Sequence, residues 1–497
     1  MFLLGKKEIF AALLTAGLGS TRAAQATVRL PALVGSHMVL QRGGPVPVWG
    51  WAAPGEPVVV SFRGHDYLAT PDAAGRWQVA LPAMSAGGPY TLVVKGENTI
   101  TLDDVLVGDV WLAAGQSNME LPLRDRNAPA PGAYPLILNA DQEVAAANFP
   151  QIRQFTVQKV VAYQPQTENA GYGWQVCSPA TAGSFSAVGY FFARDLCQRY
   201  HVPIGLLSSS WGGTPAEAWV SPETLQQLPD FQAPVAALAT RPARPEPLDK
   251  DAQNTPTVLY NGMIAPLQPY ALKGIIWYQG ESNVGRGAQY RTLFPALIRD
   301  WRARWGRELP FLFVQLANFT KTLPLPGPSA WAELREAQVA ALALPRTGMA
   351  VAIDLGDPDD IHPANKQDVG HRLALAARQV AYGDKRVLAA GPTFQSMQVS
   401  GSQIRLKFSN VGKGLQLKSG TTTLASFAVA GADGQFHWAA ATLAGRAEVV
   451  LTCAAVPAPV AVRYAWADNP VGNLYNRAGL PAAPFRTDAP AGAASRP

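Results

Sequence analysis

Between residues 105 and 387 the chain repeats one pattern that few folds can accommodate. Five short runs are apolar at nearly every position: Val107–Ala113, Ile204–Ser208, Gly274–Tyr278, Phe311–Leu316 and Met349–Ile353. Segments with helical spacing follow them, at Tyr190–Tyr200, Tyr290–Trp305, Trp331–Leu342 and Lys366–Tyr382; in the last, Val369, Leu373 and Ala376-Ala377 share a face. A strand that is apolar on both sides must be covered on both sides, and strands alternating with helices are the signature of a parallel sheet. The expectation is an α/β domain over residues 105–387 with a three-layer arrangement. Ligands of such sheets collect beyond the carboxyl ends of the strands. Functional residues are therefore sought in the segments after these runs.

The flanks have a different texture. Residues 27–104 carry short strand-like runs, Val46–Trp51, Val58–Phe62, Trp77–Leu81 and Tyr90–Val94, separated by turn signals such as Ala53-Pro54-Gly55. Pro47 confines the first of these to a sheet edge. Residues 388–487 return to β texture at Gln403–Phe408, Phe427–Ala430, Ala447–Thr452 and Val460–Ala465. Both flanks read as β-sandwich-like domains. Residues 488–497 form an Ala/Pro/Gly/Ser-rich tail, and the Pro- and Ala-rich stretch Pro229–Asp251 is a surface excursion.

Lys6 and Lys7 precede an apolar stretch, Ile9–Leu18, which is too short to span a bilayer, and Ala24-Gln25-Ala26 supplies small residues for cleavage. Residues 1–26 thus read as a signal peptide, with a periplasmic or secreted destination. No later run is long and apolar enough for a membrane span. Lys and Arg exceed Asp and Glu by only six in 497 residues, without a dense basic stripe, which argues against nucleic acid as a partner. The chain has three cysteines, Cys177, Cys197 and Cys453, so at least one is unpaired; a Cys177–Cys197 bridge is left open. CxxC, HExxH and EF-hand patterns are absent, and no metal or other cofactor is expected. The oligomeric state is not legible.

The first apolar run leads into Gly115-Gln116-Ser117-Asn118-Met119. A glycine at a strand-to-loop turn can expose a serine hydroxyl, although Gly-x-Ser alone is also a common polar turn. The second ends in Ser208–Ser210 and then Trp211-Gly212-Gly213-Thr214-Pro215, where paired glycines let a backbone N–H approach a ligand. The third delivers Gln279-Gly280-Glu281-Ser282-Asn283, and side-chain amides there could donate to a developing oxyanion. The fifth is followed by Asp354-Leu355-Gly356-Asp357-Pro358-Asp359-Asp360-Ile361-His362-Pro363. Of the six histidines, His362 alone combines a strand-end position with carboxylate neighbours. A serine, a histidine and an aspartate at successive strand ends are the parts of a serine esterase. Residues three apart share a face in a helical turn, which favours Asp359 as the carboxylate that orients His362, with Asp360 next and Asp357 third.

These motifs, in this order, resemble the sialate O-acetylesterase family of SGNH-type hydrolases. The resemblance extends to the opening Leu33–Gln41 and the late Tyr464–Pro470. It implies a metal-free esterase that removes O-acetyl groups from sugars, with Ser117 as nucleophile and His362 as general base. Ser117 N–H, a glycine N–H from Gly212-Gly213, with Gly213 preferred, and the Gln279 amide would form the oxyanion hole. Gln116, Trp211, Glu281 and Asn283 are expected to face the substrate. Trp219 and Tyr278 could stack on a sugar or pack in the core. The third block departs from the Gly-x-Asn-Asp of the wider SGNH pattern, and relatives carry Asn at the Asp359 position while keeping Asp-Ile-His-Pro. Relatives with similar motifs act on acetylated plant polysaccharide such as xylan or xyloglucan, which is the alternative substrate class. A carbohydrate-binding protein without catalysis and a lipase-like esterase are the rival readings.

Overall fold

The computed structural model describes residues 28–124, 137–238, 240–243 and 250–488. The signal-peptide assignment, almost all of the tail and part of the Pro229–Asp251 excursion lie outside these residues. The fold is mixed α/β, with one large mixed sheet and several smaller antiparallel sheets. Its central strands run in the order Thr347–Val351, Phe311–Gln315, Gly274–Tyr278, Thr99–Gly115, Ile204–Ser210, Phe149–Thr156 and Trp174–Cys177. All neighbours in this series are parallel except the last pair. The five apolar runs thus become five parallel strands, four of them within two residues of their expected bounds and the first, Val107–Ala113, extended at its start to Thr99.

Phe149–Thr156 and Trp174–Cys177 are not anticipated, because Phe149–Thr156 mixes apolar and polar residues. Its Arg153 is buried, which a strand can tolerate only with a partner, and the guanidinium lies 2.6 Å from the Asp104 carboxylate.

The Thr99–Gly115 strand is the spine. Its first half pairs antiparallel with Gly87–Lys95 and parallel with Val39–Gln41; its second half pairs with Ile204–Ser210 and Gly274–Tyr278. The expected boundary between residues 104 and 105 falls inside it. Val28, Trp49 and Val58 of the amino-terminal unit accordingly share one hydrophobic core with Trp111, Ile275 and Phe313. A second core gathers Ile404, Phe427, Val449 and Tyr464 from the carboxyl-terminal sheets and takes in Val351 and Ile353 from the end of the large sheet. Gln403–Ser409 shows strict alternation of exposed and buried residues, the pattern of a strand with one dry face.

The helices pack in pairs, Ala187–Tyr200 on Lys366–Val380 and Gly287–Trp305 on Ala330–Val339. Among the described residues no helix is long and apolar enough to cross a membrane. All three cysteines are free thiols.

Arg335 joins the two cores. It is fully buried, and donates to Leu316 O (2.9 Å), Ala317 O (2.7 Å), Ala467 O (2.8 Å) and Asp468 O (2.9 Å). Burial depresses its pKa to about 9. Replacing it by Met would strand buried carbonyls from both units. Arg335→Met is expected to cost about 3–5 kcal/mol, read as a lower urea midpoint at unchanged m-value.

Candidate active site

The turn that carries Ser117 begins with a close approach of two backbones. Gly115 has φ +143°, and a Cβ there would collide with the carbonyl of Tyr278 on the neighbouring strand. Gln116 N–H then donates to that same carbonyl at 3.0 Å. Only glycine fits, and the chain turns at once into a single helical turn, Ser117–Glu120. Ser117 emerges half-buried at the carboxyl edge of the sheet. As the first residue of that turn, its N–H has no intrahelical acceptor.

His362 arrives from the loop after Thr347–Val351. Its Nε2 lies 3.0 Å from Ser117 Oγ, and its Nδ1 lies 3.2 Å from Asp360 Oδ1. A carboxylate can only accept, so Nδ1 carries the proton and Nε2 presents a lone pair to the hydroxyl. Asp360 Oδ1 also accepts the His362 backbone N–H at 2.8 Å. The structure therefore brings Asp360, not Asp359, to the imidazole. Asp359 is exposed, and its N–H donates to Asp357 Oδ1. The i, i+3 argument for Asp359 needs a helical turn, whereas this segment is bends and turns in which an aspartate reaches the backbone two residues on. Burial, helped by the Lys366 charge, holds the His362 pKa below its ordinary value, with Asp360 opposing. The ring is thus biased toward the neutral form a base requires.

Behind the pair lies a buried polar bracket. Asn118 Nδ2 donates to Glu281 Oε1 at 2.6 Å and to Ile361 O at 3.2 Å, while its Oδ1 accepts from Lys366 Nζ. Lys366 is fully buried, with its Nζ 5.5 Å from the Tyr278 ring centroid. Burial pulls its pKa down to about 7 against the pull of Glu281 and Asp360, and the same burial raises that of Glu281. Sequence reasoning missed Lys366 and gave Asn118 no role. The signal was available: Lys366 lies on the helix face of Val369, Leu373 and Ala376-Ala377.

The residues expected on the substrate divide. Glu281 serves the bracket. Gln116 is buried, and its Oε1 accepts from Gly280 N–H (3.2 Å) and Ser282 N–H (3.3 Å). Asn283 is buried, donating to Glu217 Oε2 (2.9 Å) and accepting from Ala216 N–H (2.9 Å). Gln279, expected at the oxyanion, commits both N–H groups to Thr214 O (3.2 Å) and Asn283 Oδ1 (2.7 Å), and its Oε1 accepts from Tyr290 OH (3.0 Å). Burial runs on past the end of the apolar strand, so these amides must find internal partners. Trp219 and Tyr278 are core residues. Trp211 is half-buried at the edge, with Lys159 Nζ 5.4 Å from its ring centroid.

Gly213, the glycine expected in the oxyanion hole, is exposed with open space around it. The glycine against Ser117 is Gly212, where an added Cβ would sit 3.3 Å from Ser117 Cβ. The left-handed φ of Gly213, +74°, marks the turn that leaves Gly212 there. Gly212 N–H donates to Glu120 Oε2 at 2.6 Å, and the same carboxylate pairs with Lys159. Neither Glu120 nor Lys159 had been singled out.

Residues 107–379 match the family described as carbohydrate esterase, sialic acid-specific acetylesterase. The chain belongs to that family. Sialate O-acetylesterase of Mus musculus is 32% identical over 94% of this chain and 95% of its own length; the Homo sapiens protein is 33% identical over 77% and 76%. The crystal structure of a carbohydrate acetylesterase from Xanthomonas citri superposes with a TM-score of 0.83 at 47% identity, over 93% of this chain and all of that one. Membership places the chain among carboxylic ester hydrolases that remove O-acetyl groups from sugars.

Lys366 and Asp360 act on His362 with opposite signs. Removing the positive charge in Lys366→Met should move the acid limb of the kcat/KM profile to higher pH, because the imidazole then protonates more readily. Asp360→Asn should move it to lower pH. Hydrolysis of p-nitrophenyl acetate across pH 5–9 reads both.

Proposed function

We propose that this protein deacetylates O-acetylated saccharides through a Ser117–His362–Asp360 triad, with sialates as the principal substrates. The single observation that carries the mechanism is Ser117 Oγ at 3.0 Å from a His362 Nε2 whose opposite nitrogen faces Asp360. The sialate reading rests on the family description and the mammalian relatives. The finer architecture belongs to the same reading: a three-layer SGNH-type domain flanked by β-sandwich-like domains at residues 27–104 and 388–487, exported to the periplasm or beyond after loss of residues 1–26.

In this mechanism Ser117 Oγ attacks the acetyl carbonyl carbon as its proton passes to His362 Nε2. Asp360 stabilises the imidazolium that forms. The tetrahedral oxyanion is held by Ser117 N–H and by Gly212 N–H once the Glu120 carboxylate releases it. Such donors are each worth about 10²–10³ in rate. The C–O bond to the sugar breaks as His362 returns its proton to the leaving alkoxide oxygen. Water, deprotonated by His362, then attacks the acetyl-Ser117 ester and releases acetate. Trp211 is the aromatic placed to meet a sugar ring.

Ser117→Ala should retain the fold and lower turnover by about 10⁴ or more. Asp360→Asn should cost about 10²–10⁴, toward the lower end because this carboxylate is partly exposed. Asp359→Asn should leave turnover within about twofold of wild type, since the carboxylate touches neither partner. Acetate release from O-acetylated sialic acids, acetylxylan and acetylated xyloglucan, measured side by side, tests the substrate. Faster release from either polysaccharide would overturn the sialate reading while leaving the triad intact.

A further inference from the structure

Ser117, Gly212 and His362 all lie beyond the carboxyl ends of the parallel strands. The opposite end of the sheet holds a second concavity. It encloses about 740 Å3 between the amino-terminal β unit and the strand starts, and its charged lining consists of Arg42, Asp109, Lys273, Arg307, Glu308 and Arg346. Lys273 immediately precedes the strand Gly274–Tyr278, and Arg346 immediately precedes Thr347–Val351. Arg307 comes just ahead of Phe311–Gln315, the strand between those two in the sheet. Three adjacent strands therefore each begin beside a cation.

The carboxylates of this cleft are already engaged. Asp109 is buried and accepts from Arg42 at 2.8 and 3.0 Å, from Tyr382 OH at 2.9 Å and from Gln41 Nε2 at 3.3 Å. Glu308 pairs with Arg302 at 3.2 Å and is otherwise exposed. Among the described residues, the side chains of Lys273, Arg307 and Arg346 make neither an ion pair nor a hydrogen bond; Lys273 Nζ lies 4.7 Å from the Tyr382 ring centroid. Burial, then the charges of Arg42, Arg346 and Arg307, push the Lys273 ammonium below its ordinary pKa despite Asp109. Arg307 and Arg346 are exposed and Lys273 is half-buried, so the three cations give the cleft a positive potential that no carboxylate paired with them offsets.

We propose that this cleft is a second binding site, separate from the esterase centre, for a ligand carrying two or more carboxylate or phosphate groups held by Lys273, Arg307 and Arg346. Guanidinium groups suit planar oxyanions, and a lysine adds a compact charge between them. The volume lies in the range of small-ligand sites, and clefts between structural units are their usual place. The lining has no aromatic ring, so recognition is by charge rather than by stacking on a sugar face. A strand of five residues separates this site from the triad by about 17 Å, so one small ligand cannot fill both.

The test is calorimetric titration of the intact protein with trigalacturonate, with inorganic pyrophosphate and with neutral maltotriose, at low and at high salt. At least one anion should bind at a single site, more weakly at high salt, and maltotriose should not bind. Uronate binding alone identifies an acidic saccharide as the ligand class, and pyrophosphate binding alone a phosphate. The exposed pair Arg307→Ser and Arg346→Asn should lower affinity at least tenfold and leave p-nitrophenyl acetate hydrolysis unchanged; Asn is chosen because Arg346 has φ +54°. Lys273→Met, with its melting temperature checked, should do the same. Failure of both anions to bind, equal binding of maltotriose, or unaltered affinity in the double variant would overturn the proposal. None of these outcomes bears on the triad.

Discussion

The side-chain amide of Asn118 links three segments that are far apart in the chain. Its two N–H donations reach Glu281 in the third strand-end loop and Ile361 O beside His362, while its oxygen takes the ammonium of Lys366 at the head of the last large helix. Asn118 immediately follows Ser117. Any drift of the His362 loop away from the serine must therefore break a hydrogen bond donated by the buried Asn118 amide. A buried polar group left without its partner costs about 1–3 kcal/mol, and more if it is charged. That penalty, together with the part-buried contacts between Asp360 and His362, keeps the 3.0 Å approach of imidazole to hydroxyl in register.

Lys366 has a second effect through its charge. A cation buried among Glu281, Asp360, His362 and the Tyr278 ring opposes the imidazolium that Asp360 favours. Burial, with Lys366 adding to it, holds the His362 pKa below its ordinary value, while in the proposed mechanism the Asp360 carboxylate remains to stabilise the charged form during turnover. A base needs both properties, and one neighbour of either sign supplies only one.

The sequence made the parallel strands and the serine turn legible because both are local statements. An apolar run bounded by turn signals has few alternatives, and Gly115 marks a place where two backbones touch. Gln279 and Asn283 were expected at the oxyanion and the substrate because amides just beyond an apolar strand stand where such sheets bind ligands. The burial extends through the next turn, so these amides brace the Trp211–Trp219 segment instead of facing a ligand. Asp359 was preferred over Asp360 on a helical spacing that bends and turns do not provide. Gly212 and Gly213 could not be told apart by composition, since only the direction of the turn decides which one lies against the serine. Lys366, Glu120 and Lys159 were overlooked because charged residues are ordinarily solvated, and their partners come from distant segments.

The Glu120 carboxylate on Gly212 N–H shows how the site treats its own donor at rest. An N–H aimed into a recess needs an acceptor, and a carboxylate 2.6 Å away is a strong one. To use this donor a substrate must displace Glu120, which keeps Lys159 as its other partner. The neutral carbonyl of a bound ester is a weaker acceptor than a carboxylate and gains little from the exchange. An oxyanion carries a full charge and competes on equal terms. In the proposed mechanism the exchange favours the tetrahedral intermediate over the bound ester, while the hydrogen bond given up by Glu120 is subtracted from what the Gly212 donor contributes.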